Sequence, residues 1–210
     1  GLRTEKTTGE FLKQILAISS EKKKPAKRQL GFGIQSDPNT DNNEDEKVSL
    51  PPLVIDADGL NLLAEMDTWW ELLPKDTILT PHPGEMGRLC GISTKEVQAN
   101  RWQLARDKAQ AWDVTLVLKG AYTLIASAEG QFAVIPFAVD ALATAGTGDI
   151  LAGLIVGLRA QSVSAFESAC IGAYVHGLAG QLAGSANNSR SILASDILAY
   201  IDEAFTAIEG

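Results

Sequence analysis

The sequence predicts an α/β protein: a mostly parallel sheet flanked by helices on both faces. Short apolar runs at 53–55, 77–79 and 114–118 alternate with stretches of helical spacing, the pattern that builds parallel sheets. The run at 114–118 is apolar and rich in β-branched residues, as expected for a strand buried on both faces. Glycine-rich or charged motifs follow these runs directly, at the carboxyl ends where such sheets gather ligands.

Size and composition bound the answer. A chain of 210 residues, 45% hydrophobic and 21% charged, can bury the core of one domain spanning residues 1–210. The net charge of −8 argues against a nucleic-acid binder. No apolar run reaches membrane-spanning length. Cys90 and Cys170 are isolated and lack metal-ligand spacing. They read as buried thiols in a reducing compartment, so a cytoplasmic location is expected. The chain begins at Gly1 without a Met, which reads as a processed piece or a fragment.

In chain order, residues 8–18 have helical spacing, with Phe11, Leu12, Ile15 and Leu16 on one stripe. Residues 20–50 turn Lys-rich and then acidic, and read as a mobile surface insertion. After the strand at 53–55, a helix is expected at 61–64. A second short helix, at 84–89, follows the strand at 77–79. Ser93-Thr94-Lys95-Glu96 is a capping box opening a long helix to about residue 111. Strands at 121–126 and 131–135 flank Glu129-Gly130, a hairpin signal. Helices are expected at 148–160, at 165–182 behind a Ser164/Glu167 capping box, and at 196–208.

Four strand-end motifs carry chemistry. In the first, Ala143-Thr144-Ala145-Gly146-Thr147-Gly148-Asp149 opens a helix through glycines. Unpaired N–H groups and the positive dipole end suit a phosphate there. Asp149 would stand beside that phosphate as a base for a hydroxyl; the plain alternative is an acidic first-turn residue. The second, Asp56-Ala57-Asp58, offers carboxylates that hold Mg²⁺ or orient a hydroxyl, or an Asp58 that caps the next helix. For Asp56 a structural role is favoured. In the third, His82 stands between Pro81 and Pro83, with Gly84, Glu85 and Arg88 on the following turn, a group able to converge on a polar, anionic ligand. The fourth, Lys119-Gly120-Ala121-Tyr122-Thr123, ends the buried strand. Its lysine meets a phosphate or snorkels from the sheet edge. His176, among small residues in a helix, reads as a packed core histidine.

Taken in order, these motifs resemble the ADP/ATP-dependent NAD(P)H-hydrate dehydratases, a branch of the ribokinase-like superfamily. The resemblance covers nearly all of residues 52–200, including His176-Gly177-Leu178-Ala179-Gly180 and Ser195-Asp196. It implies a ribokinase-like fold and a repair reaction. A nucleotide, ADP or ATP, phosphorylates the ring hydroxyl of hydrated NADH or NADPH, and loss of phosphate restores the cofactor. By resemblance Asp149 is the base. Ala145, Gly146, Thr147 and Gly148 cradle the transferred phosphate and its nucleotide, and Lys119, Gly120, Ala121, Tyr122 and Thr123 bind the nucleotide. His82, Pro83, Gly84, Glu85 and Arg88 contact the hydrated dinucleotide, and Mg²⁺ neutralises charge. The resemblance also implies a homo-oligomer, specifically a tetramer.

The family carries further strands and a Gly-Pro-Gly-Leu-Gly turn upstream; Gly1-Leu2 matches its tail, with Arg3 at the last glycine. The chain thus resembles the C-terminal two thirds of such a domain, with an N-terminal piece supplied elsewhere and an epimerase domain as a further candidate upstream. Two other readings stand beside this one. One is a small-molecule kinase of the same superfamily acting on a hydroxymethylpyrimidine, thiazole or sugar. The other is an inactive nucleotide-binding fragment.

Overall fold

The computed structural model describes residues 6–20, 50–186 and 191–210. Most of the proposed insertion, residues 21–49, lies outside the described residues.

Five strands form one sheet in the order β1 (Val54–Ile55), β2 (Ile78–Leu79), β3 (Thr115–Leu118), β4 (Leu124–Ala126) and β5 (Phe132–Val134). The first three are parallel, with Ile55 beside Leu79 and Leu79 beside Leu116. The last two turn back as an antiparallel hairpin pairing Leu118 with Leu124 and Leu124 with Val134.

Side chains alternate across the sheet as the pleat requires. Leu116 and Leu118 face one core with Ile55, Leu79 and Leu124, while Val117 faces another with Ile78 and Ile125. The first core is covered by α1 (Lys6–Ser20), α2 (Asp58–Ala64), α3 (Pro83–Cys90), α4 (Thr94–Ala99) and α5 (Arg101–Trp112). Trp69 and Trp112 pack there with ring centroids 4.8 Å apart. The second is covered by α6 (Thr147–Ala160) and α7 (Ala165–Ala186). Beyond it, Ala141, Val175, Ala179 and Ala183 pack against Ile192 and Ile197 of the chain entering α8 (Ala194–Ala199), and against Ala204 of α9 (Ile201–Glu209). Each fully buried Leu, Ile or Val of these layers stabilises the fold by roughly 1.5–3 kcal/mol.

Four local expectations are corrected. The single helix to residue 111 is two helices, broken where Asn100 leaves helical backbone (φ −126°, ψ 24°). Its side-chain amide donates to the Glu96 carbonyl, the local bonding by which Asn ends helices. The helix at 196–208 likewise breaks at Tyr200, between α8 and α9. The strand expected at 121–126 starts only at Leu124, because Gly120 (φ 139°) and Tyr122 (φ 54°) turn the chain first. On α1, Leu16 is fully buried but Phe11 is 55% exposed.

Candidate active site

The parallel strands deliver three chain ends to one edge of the sheet. Thr80 N–H donates to the Ile55 carbonyl (3.1 Å) and Lys119 N–H to the Pro81 carbonyl (2.9 Å), so pairing continues past the strands. Lys119 Nζ then lies 2.6 Å from Asp56 Oδ1 and 3.8 Å from Glu85 Oε2, its side chain 18% exposed. The lysine therefore points into the site rather than snorkelling. Asp56, the carboxylate favoured as structural, is its partner. Asp58 opens α2, behind an N-cap that is Ala57 and makes no side-chain cap.

His82 caps α3. Its Nδ1 accepts from the N–H groups of Gly84 (2.9 Å) and Glu85 (3.3 Å), while Glu85 Oε2 accepts from His82 N–H (2.7 Å). An accepting Nδ1 places the proton of the neutral ring on Nε2, 3.3 Å from Glu85 Oε1. Pro83 occupies the first helical turn, where a missing N–H costs nothing. Gly84 is required: a Cβ would lie 2.8 Å from the His82 ring. Arg88 does not join this group; its Nε donates to Asn61 Oδ1 (2.7 Å).

The glycine turn that opens α6 closes the site. Gly146 takes a left-handed conformation (φ 90°) as N-cap of α6. Thr147 Oγ1 lies 2.8 Å from the Leu142 carbonyl and 2.9 Å from that of Thr144, pinning the turn. A Cβ on Gly148 would lie 3.4 Å from Asp56 Oδ2 and 3.5 Å from Lys119 Nζ. The positive end of α6 thus abuts the Lys119–Asp56 pair. Asp149 sits in the first turn of α6 and is exposed.

Beside this cluster opens a cavity of about 510 Å³. Its wall mixes polar groups, among them His82, Lys119, Thr123 and Thr147, with the apolar side chains of Phe137 and Leu142. Tyr122 lies off the wall with its side chain 55% exposed. Ala145, Gly146, Gly84, Glu85, Arg88, Asp58 and Asp149 are also not on the wall.

Sequence reasoning did not find the apolar part of the wall or the role of α7. Gly177 and Gly180 let α7 approach so closely that a Cβ on the first would strike the Phe137 ring, and one on the second would lie 2.5 Å from Leu142 Cδ2. The spacing of these glycines was the available signal. Gly180→Ala is expected to lower stability by about 1–3 kcal/mol through overpacking, read as a lower denaturant midpoint with an unchanged slope.

His176, expected as a packed core histidine, is only 7% exposed and also lines the cavity. It bonds the Thr147 backbone, while Nε2 has no partner. Burial pushes its pKa down to about 4 from the usual 6.5. The unfolded chain takes up this proton near pH 6.5, whereas the folded chain resists it until about pH 4. Stability from this group is therefore full above pH 6.5 and declines as the pH falls towards 4. Thermal melts between pH 7 and 4.5 are expected to show that decline, and His176→Gln to flatten it.

Among the described residues, no helix is long and apolar enough to cross a membrane.

The fold is ribokinase-like. A ribokinase-like superfamily protein of Enterococcus faecalis superimposes with a TM-score of 0.63 at 24% identity, over 95% of this chain and 60% of its own. A family model described as NAD(P)H-hydrate dehydratase matches residues 10–203, and the chain belongs to that family. It is 39% identical over 186 residues to a bifunctional NAD(P)H-hydrate repair enzyme of Moorella thermoacetica, covering 86% of this chain and 34% of that protein. It is 42% identical over 149 residues to an ADP-dependent (S)-NAD(P)H-hydrate dehydratase of Neisseria meningitidis, covering 70% and 50% respectively. The ADP/ATP-dependent NAD(P)H-hydrate dehydratase of Bacillus subtilis, co-crystallised with ATP and Mg²⁺, superimposes with a TM-score of 0.67 at 30% identity, over 74% of this chain and 55% of that one. The chain thus spans a third to a half of the length of these two curated relatives.

Proposed function

We propose that this chain carries the nucleotide-dependent dehydration of hydrated NADH and NADPH back to the intact cofactors. The observation that carries this reading is the Lys119–Asp56 pair against Gly148 at the start of α6, beside a cavity lined by both charged and apolar side chains. A nucleoside di- or triphosphate has that polarity. Its base packs on the apolar side chains of the wall, Phe137 and Leu142 among them. Its phosphates meet Lys119, Gly120 and the N–H groups of α6.

Asp149, exposed in the first turn of α6, takes the proton from the ring hydroxyl of the hydrated nicotinamide. The freed oxygen attacks the terminal phosphorus, and the P–O bond to the nucleotide breaks. Loss of phosphate from the ring carbon and of a proton from its neighbour restores the double bond. The net change is removal of water and hydrolysis of one phosphoanhydride. His82, held by Glu85 in one orientation with its side chain half exposed, meets the dinucleotide.

Among the described residues no group of three His, Cys, Asp or Glu forms a metal cage. Mg²⁺ would come in on the nucleotide's phosphates, with Asp56 facing Gly148 of the turn as a carboxylate beside them. When bound it neutralises phosphate charge.

The chain is read as one ribokinase-like unit that works as a homo-oligomer in the cytoplasm. Exposed Val156, Leu193 and Leu198 support association, and the unpaired thiols Cys90 and Cys170 support a reducing compartment.

The test is optical. Hydrated NADH mixed with protein, Mg²⁺ and ADP or ATP is expected to regain the dihydronicotinamide band only when nucleotide is present. A phosphorylated product that persists, with no band recovered, would instead favour a small-molecule kinase.

A further inference from the structure

Arg101 lies outside every motif that the site uses, yet it is bonded to the backbone of one of them. It is the first residue of α5, directly after the break at Asn100. Its Nη1 donates to the Ala121 carbonyl (2.8 Å), and its Nη2 reaches the carbonyls of Leu118 (3.3 Å) and Lys119 (3.4 Å). The remaining carbonyl of this turn, that of Gly120, accepts from Thr123 Oγ1 (3.0 Å). Of four successive carbonyls between the end of β3 and Ala121, three are therefore held by one guanidinium.

The geometry has a direct consequence for the cavity wall. A peptide's C=O and N–H point in opposite directions across a rigid plane. With the Lys119 carbonyl held at Arg101, the Gly120 N–H points away from the guanidinium, and Gly120 lines the cavity. The guanidinium also fills the space that a side chain at Gly120 would take: a Cβ there would lie 3.1 Å from Nη2, on a backbone with φ of 139°. Two features agree that this contact is built in. The Arg101 Nε is buried without a partner, and burial pushes the guanidinium pKa down.

We propose that Arg101 is the positioning residue of the phosphate-binding turn. Its fork fixes Lys119 and the Gly120 amide in the arrangement that receives the polyphosphate of a nucleotide. This rests on the reading of the cavity as a nucleotide site. Lysine cannot replace the fork, since an ammonium is a point donor that cannot span three carbonyls.

The experiment uses the full chain and the variants Arg101→Lys and Arg101→Gln. Calorimetry gives their affinities for ADP, ATP and, separately, hydrated NADH; steady-state assays give KM for each substrate and kcat; melts report folding. Arg101→Gln is expected to weaken ADP and ATP binding about tenfold or more, with affinity for hydrated NADH within about twofold of the parent. Arg101→Lys is expected to fold, to lie between the two, and to show the loss in nucleotide KM rather than in kcat. If Arg101→Gln does not fold, the lysine variant alone decides. Nucleotide affinity within twofold of the parent in a folded variant would overturn the proposal, as would an equal loss for both ligands. Absence of nucleotide binding in the parent chain would overturn the nucleotide reading itself, and the proposal with it.

Discussion

Asp149→Asn is expected to cut turnover about a thousandfold while ADP and ATP affinities stay within about threefold. The substitution keeps the size of the side chain and removes only its ability to take a proton. The N–H groups of the first turn of α6, the left-handed Gly146 and the Thr147 hydroxyl that pins the turn are all untouched. Anion binding should therefore survive. The exposed position of Asp149 is consistent with this split, because no interaction in the core depends on it. Calorimetry with nucleotide, paired with the absorbance assay, separates the two effects. Loss of nucleotide affinity equal to the loss of rate would remove Asp149 from the role of base.

Lys119→Ala is expected to act in the opposite way, weakening nucleotide binding by about 10–100-fold, the range of one charge-assisted hydrogen bond to phosphate. The change does more than delete a cation. Asp56 Oδ1 and Glu85 Oε2, at 2.6 and 3.8 Å from Nζ, would be left facing one another and any incoming phosphate without their shared partner. Removing one member of a part-buried pair is usually worse than removing both. A Lys119→Ala/Asp56→Ala double variant is accordingly expected to recover thermal stability without recovering nucleotide affinity. Recovery of both would mean that Lys119 acts only as a structural counter-ion.

The strand-end logic was legible because it depends on local pattern. Apolar runs ending in Asp56, Pro81-His82 and Lys119 gave the parallel half of the sheet, and the same pattern placed the charged residues at one edge. The capping box at Ser93/Glu96 also formed as read, and at Ser164/Glu167 the hydroxyl accepts from the Glu167 N–H and donates to its carboxylate. What escaped was set by tertiary contact. Nothing local distinguishes Asp56 from Asp58; only the register that puts Ile55 beside Leu79, and the chain beyond Leu79 beside Lys119, selects the first. The break at Asn100 was invisible because a helix-forming pattern runs through it. Arg101 carries no local signal, since its partners lie 17–20 residues away. The apolar part of the cavity wall was hidden for a related reason. Phe137 and Leu142 lie outside the four motifs and acquire a wall only when Gly177 and Gly180 admit them to α7.

Among the described residues, the order of strands in the sheet is also the order of strands in the chain. Each strand docks on the one made just before it, so no strand must wait for a later one to fill a gap between neighbours. Doubly wound sheets that start in the middle and grow towards both edges lack this property. Here the sheet can zip from β1 to β5 as the chain emerges, each closure spanning only the segment between successive strands. The two ends of that series are then the edges, β1 and β5, where a further strand can add without disturbing a pair already formed.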